Sequence, residues 1–152
     1  MIIGDSSALV ALATMDRLNL LEQLFHEVYV PKAVYDELII EGKPQSDTLK
    51  HFLCDKVITV NLTLSQIGLG QGELEAITLY QQLDADFLLI DDKRAKDFAK
   101  LNEINVIGSL GVLLLAKERG LLTSLRDDLE KLSYSNLFIS PKLIKSLLAS
   151  ES

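Results

Sequence analysis

One cysteine, Cys54, stands in 152 residues, so no internal disulfide can staple this chain. With no C-x-x-C pair and only two histidines there is no zinc framework either. That usage fits a reducing cytoplasm. The N-terminus lacks a basic leader, and its apolar stretch is interrupted by Asp5, so no signal peptide is expected. Long apolar runs are missing: the run around Gly111 to Ala116 falls far short of the ~20 residues that cross a bilayer. No repeat, low-complexity tract or linker breaks the chain, so one domain over residues 1–152 is expected, not attached to membrane. Basic residues are also in short supply. Twenty-two acids face 15 bases, a net charge of -7, which argues against a broad nucleic-acid-binding surface. Carboxylates gathered in a cleft around divalent cations would reverse that argument locally, because the ions invert the sign of the field.

What is present is an alternation of short apolar strands with amphipathic helices. Met1 to Gly4 reads as a strand that ends at Asp5, with Ser6-Ser7 opening a helix over Ala8 to Met15. A second short helix follows, then Val28-Tyr29-Val30 as a strand. Pro31 starts a helix carrying Val34, Glu37 and Leu38, and Ser46-Asp47 caps another. Val57 to Val60 is strand by its β-branched content. The loop over 61–72 holds Gly68, Gly70 and Gly72, and a helix then runs to Leu83 with Glu73 and Glu75 in its first turn. Phe87 to Ile90 reads as the central strand and runs into Asp91-Asp92-Lys93-Arg94, where the next helix begins. Asn105 to Ile107 is a fifth strand. Helices open at Gly108, at Thr123-Ser124 and at Ser140-Pro141. The pattern predicts a three-layer α/β/α sandwich around a mainly parallel sheet of about five strands.

Strand-end acids are the candidate chemistry. Ligands in such sheets bind beyond the carboxyl ends of the strands, where Asp5, Asp91 and Asp92 fall. Glu37 shares a helix face with Val34 and Leu38, and an acid on an apolar inner face must be paired, protonated or metal-bound. Glu73 and Glu75 are about 200° apart around their helix, so only one readily reaches a shared ion. The ordinary alternatives are a cap for Asp5, solvated turn residues for Asp91 and Asp92, and dipole partners for the glutamates. Several carboxylates in one crevice call for hard cations with oxygen ligands, which suits Mg2+ or Mn2+. Such an ion activates water for displacement at phosphorus.

Asp5-Ser6-Ser7-Ala8-Leu9-Val10, Glu37-Leu38, Gly72-Glu73-Leu74-Glu75-Ala76-Ile77 and Leu89-Ile90-Asp91-Asp92-Lys93-Arg94 together resemble the successive acidic motifs of PIN domains. More narrowly they resemble the prokaryotic PIN-like branch long labelled a domain of unknown function and related to VapC-type toxins. The resemblance extends to Val106 through Leu113 and to Ile139-Ser140-Pro141. It implies a metal-dependent endoribonuclease with Asp5, Glu37, Glu75 and Asp92 catalytic, and Asp5, Glu75 and Asp92 on the Mg2+ or Mn2+. Ser7, Glu73 and Asp91 are then supporting residues, and Lys93 and Arg94 contact RNA phosphate. Glu75 is preferred to Glu73 because it directly precedes Ala76-Ile77. A toxin role adds an antitoxin protein as partner, and the Leu-rich helices over 111–116 and 143–148 suggest a homodimer. Two positions depart from the toxin pattern. Ile90 stands where many toxins have Thr or Ser, and the third acid is Glu where Asp is usual. These departures support a second expectation, a PIN-like module that holds metal poorly and works through protein or RNA contacts. A receiver-like phosphoacceptor would need an acid pair after the first strand, where only Asp5 stands.

Overall fold

A computed structural model describes residues 1–61, 70–134 and 141–150, apart from the side chains of Pro141 and Ser150. Part of the expected 61–72 loop, Gly68 included, and Ile139-Ser140 lie outside the described residues. Five strands, β1 (Ile2–Gly4), β2 (Val28–Pro31), β3 (Val57–Ile58), β4 (Phe87–Leu89) and β5 (Val106–Ile107), form one parallel sheet in the order β3-β2-β1-β4-β5. β1 therefore occupies the centre that the sequence assigns to residues 87–90, and β4 lies beside it, with Ile2 level with Phe87 and Gly4 with Leu89. Both strands are apolar and each has two neighbours, so only the order of pairing, with β2 and β3 on one side of β1 and β4 and β5 on the other, puts β1 in the middle.

Alternation along each strand splits the interior in two. Ile2 and Leu89 point into a first core with α1 (Ser6–Thr14), α2 (Asn19–Phe25), α4 (Ser46–Leu53), α7 (Ser109–Glu118) and α8 (Arg126–Ser133). Ile3, Leu88 and Ile90 point the other way, against α5 (Gln71–Leu83) and α6 (Lys93–Leu101). Leu9, Leu12, Leu88 and Leu89 are fully buried, each contributing roughly 1.5–3 kcal/mol. The three-layer α/β/α expectation holds. α3 (Lys32–Leu38) sits at the rim, burying Val34 and Leu38 and packing against α5.

Local starts differ from the sequence reading in small ways. Helix α1 begins at Ser6 with Asp5 in the cap position, and α4 is preceded by Gln45 at φ 63° in place of a Ser46 cap. Leu125 holds the cap position of α8, and Ser124, one residue before it, accepts the Arg126 amide on its Oγ at 3.2 Å. Gly4 is required for close approach, since a Cβ there would stand 2.9 Å from Leu9 Cδ1. α8 is locked to the turn between α1 and α2 by Arg17, whose Nε and Nη2 donate to the buried Asp128 carboxylate at 2.8 and 3.3 Å. The Leu-rich α7 is chiefly core, with Val112, Leu113 and Ala116 buried and Leu114 exposed. α9 (Pro141–Ser150) buries Ile144, packs on α8 and exposes Leu143. Among the described residues no helix is long and apolar enough to cross a membrane.

Candidate active site

The strand order reverses at β1. From there the chain steps outward to β2 and β3, then returns to the other flank for β4 and β5. Side chains leaving the carboxyl ends of β1 and β4 therefore enter the crevice where α/β sheets bind ligands. The Asp5 amide donates to Leu89 O at 2.9 Å, so the backbone that carries the first acid is pinned to the end of β4.

Asp5 is 3 % exposed, and its side chain makes no cap hydrogen bond to α1. Burial is the main cause that pushes its carboxyl up from 3.8 to about 7. The Ser6 amide pulls the other way, and the charges of Glu73, Glu37 and Asp92 add to the rise. Asp5, Ser6, Glu37, Gln71 and Glu73 line a common pocket of about 370 Å³. Glu37 reaches it from α3 as an exposed side chain, not on the apolar inner face that the sequence suggests, which Val34 and Leu38 fill. Gly72 lets the start of α5 close on α3, since a Cβ there would meet Val34 Cγ2 at 3.2 Å and Glu37 Oε2 at 3.5 Å.

The two α5 glutamates go separate ways. Glu73 is half-buried on the pocket wall and accepts the Gly70 amide at 2.6 Å, half of a capping box. Glu75, 5 % exposed, accepts the Ala33 amide at 3.2 Å and Gln71 Nε2 at 2.8 Å, which ties α5 to the start of α3. Asp92 is exposed and caps α6 by accepting the Ala95 amide at 2.9 Å. Asp91 is turned toward α7: its two oxygens accept the Ser109 amide and hydroxyl, each at 2.7 Å. The structure thus brings Asp5, Glu37 and Glu73 to one pocket, with the charge of Asp92 felt at Asp5, holds Glu75 against Ala33 and Gln71 of the same pocket wall, and turns Asp91 to Ser109.

A family model described as a PIN domain matches residues 1–151. This chain belongs to the PIN-domain family. PIN domains are in general nucleases and typically use divalent metals, so a hydrolytic, nuclease-type function on nucleic acid follows at the level of the family. Comparison with curated proteins and with solved structures finds no match.

The donor chemistry of this PIN-domain pocket suits a hard cation. Its ionisable side chains are carboxylates, and the Asp5 carboxyl is raised first by burial and then by the charges of its acidic neighbours, which a bound cation would offset. Among the described residues, no three His, Cys, Asp or Glu side chains stand close enough together to hold an ion as they are. Ser7 is exposed, and among the described residues the hydroxyl residue on the pocket wall is Ser6. Ser6 and Gln71 escape sequence reasoning, although each adjoins a motif residue. Lys93 and Arg94 are exposed at the start of α6. Ile90 is fully buried in the second core.

Proposed function

We propose that this PIN domain is a Mg2+- or Mn2+-dependent endoribonuclease. The observation that carries the reading is the buried Asp5 at the end of β1, sharing one pocket with Glu37 and Glu73. Asp5 and Asp92 would hold the ion, and the third place goes to Glu73, which lines the pocket, while both Glu75 oxygens already accept hydrogen bonds from the Ala33 amide and Gln71 Nε2. Glu37 flanks the ion from α3. When bound, the ion supplies an activated water and charge neutralisation at the phosphate. Asp5 must be ionised to act as ligand. With a carboxyl near 7, it gives up a proton on loading, so affinity rises with pH through neutrality. Gln71 keeps Glu75 aimed at Ala33 and holds the α3–α5 seam in place.

Cleavage of a fluorescent RNA in Mn2+ or Mg2+, abolished by EDTA, is the expected result. Asp5→Asn and Asp92→Asn should each lose more than ~100-fold in rate, the upper end of what outer-shell partners cost. No metal-dependent cleavage of any RNA, or variants as active as wild type, rejects the proposal. The toxin form of the proposal adds a cytoplasmic antitoxin and a homodimer; exposed Leu114 and Leu143 support an apolar contact of that kind. Light scattering that reports a strict monomer at micromolar concentration removes the dimer.

The open spacing of the acids supports a second reading, a PIN module that holds metal weakly and acts by binding. Tight Mn2+ binding by calorimetry, lost in Asp5→Asn, would decide against it.

A further inference from the structure

Helix α7 opens beyond the carboxyl end of β5 with glycine in its cap position, so Gly108 has no side chain to offer the first free amides of the helix. The Ser109 amide finds its acceptor on the neighbouring strand end, in Asp91 Oδ1, and the Ser109 hydroxyl donates to Asp91 Oδ2, each at 2.7 Å. Ser109 is fully buried, so these two bonds to a carboxylate are short and shielded from competing water. Gly108 itself is at φ -93° and ψ 173°, extended backbone that any residue adopts. What the glycine supplies is room. A Cβ there would stand 2.8 Å from Asp91 Oδ1 and 2.9 Å from Lys96 Nζ, so a larger residue must push one of them aside.

Asp91 is the first residue after the last sheet bond of β4. The Ile90 amide still donates to Ile107 O at 2.9 Å, and beyond it the chain turns into α6. Asp92 follows at once, with one carboxylate oxygen accepting the Ala95 amide at 2.9 Å. The turn is thus held by the Ile90 amide on β5, by the Ala95 cap on α6 and by the Asp91–Ser109 pair on α7. The cap belongs to an exposed aspartate, whereas the pair ends on a buried serine of a helix that Val112, Leu113 and Ala116 seat in the first core.

We infer that Ser109 is a positioning residue of this pocket: through Asp91 it fixes the turn between β4 and α6, and with it the direction in which Asp92 presents its carboxylate to the ion. Asp91 is then a strut and not a ligand, since both of its oxygens are engaged. This rests on the metal-dependent reading above, and its readout is ion affinity and not cleavage.

The test uses the full chain with Mn2+ alone as probe, calorimetry for Kd and circular dichroism for Tm. Ser109→Ala leaves Asp91 Oδ2 without its donor, and Mn2+ should bind about tenfold more weakly, the lower end of the cost of an outer-shell partner. Asp91→Ala should do at least as much. Asp91→Asn keeps both contacts, accepting the amide on its carbonyl and donating to the hydroxyl, and should bind Mn2+ as wild type does. Gly108→Ala crowds Asp91 without removing either partner; it should weaken Mn2+ on its own and have no further effect once Asp91 is alanine. Should Asp91→Ala fail to fold, Ser109→Ala and Gly108→Ala decide by the same Kd. A merely structural role would lower Tm in the alanine variants and leave the Mn2+ Kd of the folded protein unchanged, which overturns the inference while metal binding stands. Asp91→Asn as weak in Mn2+ as Asp92→Asn makes Asp91 a ligand and overturns it too. Wild type that binds Mn2+ but cleaves no RNA, with affinity reduced in Ser109→Ala, keeps the inference and removes the ribonuclease. Wild type that binds no Mn2+ overturns both.

Discussion

Replacing Asp5 with asparagine should make the metal-free protein more stable at alkaline pH and not at acid pH. The carboxyl titrates near 7 in the fold against an ordinary 3.8, so the folded state resists giving up a proton that the unfolded chain releases readily. Below both values the two states are equally protonated and nothing is lost. As pH rises from the lower value to the upper, stability falls by ~1.36 kcal/mol per unit, reaching about 4 kcal/mol above pH 7. Between pH 5 and pH 8 the loss from this one group is about 2.6 kcal/mol. Asparagine has nearly the same shape and does not titrate, and every other ionisable group is common to the two proteins. The difference in unfolding free energy, variant minus wild type, should therefore grow by about 2.6 kcal/mol over that span, or roughly 5–10 °C in Tm for a chain of this size. Urea denaturation followed by circular dichroism in EDTA at several pH values measures it. Excess Mn2+ at pH 8 should restore the wild type alone, by about 2.7 kcal/mol at a hundredfold over Kd. A variant-minus-wild-type difference that stays flat with pH would refute the claim that burial and neighbouring acids hold this carboxyl up.

The other predictions concern groups that burial makes costly to leave alone. Arg17→Met removes the partner of a buried carboxylate on α8 and should cost about 3 kcal/mol by urea denaturation, with metal affinity unchanged. Glu73→Gln and Glu75→Gln separate the two α5 glutamates: calorimetry should show the first weakening Mn2+ more than the second. Glu75→Ala strands the Ala33 amide and should lower stability by about 1–3 kcal/mol; a larger metal effect from Glu75 than from Glu73 reverses the assignment.

Strand and helix types were legible because their signals are local. Alternating faces at Ile2 and Ile3, and the apolar run into Asp91-Asp92, need only the periodicity of a parallel sheet between two helical layers. The meeting of Asp5 with the end of β4 followed from one further assumption, that the two strands are neighbours, and the Gly4–Leu89 register supplies it. What could not be read depends on contacts distant in sequence. Glu73 and Glu75 look alike in a motif, and α3, some 40 residues earlier, makes one line the pocket and the other a tie to Ala33. Asp91 and Asp92 look interchangeable until Ser109 takes up the first. Gly108 looks like any other helix-opening glycine, because Asp91 becomes its neighbour only when β5 docks on β4.

The strand order also bears on the time course of synthesis. β1 leaves the ribosome well before its partner β4, and Ile2 must wait for Phe87 before the sheet has its centre. Asp5 and Asp92 cannot share a crevice until most of the chain has been made, and long-range parallel pairing of this kind is slow to form. A nascent chain halted before β4 would carry Asp5, Glu37 and Glu73 with β2 on one flank of β1 and the other flank still open. The carboxyl edge on which the pocket stands is therefore complete only once β4 and Asp92 have joined it.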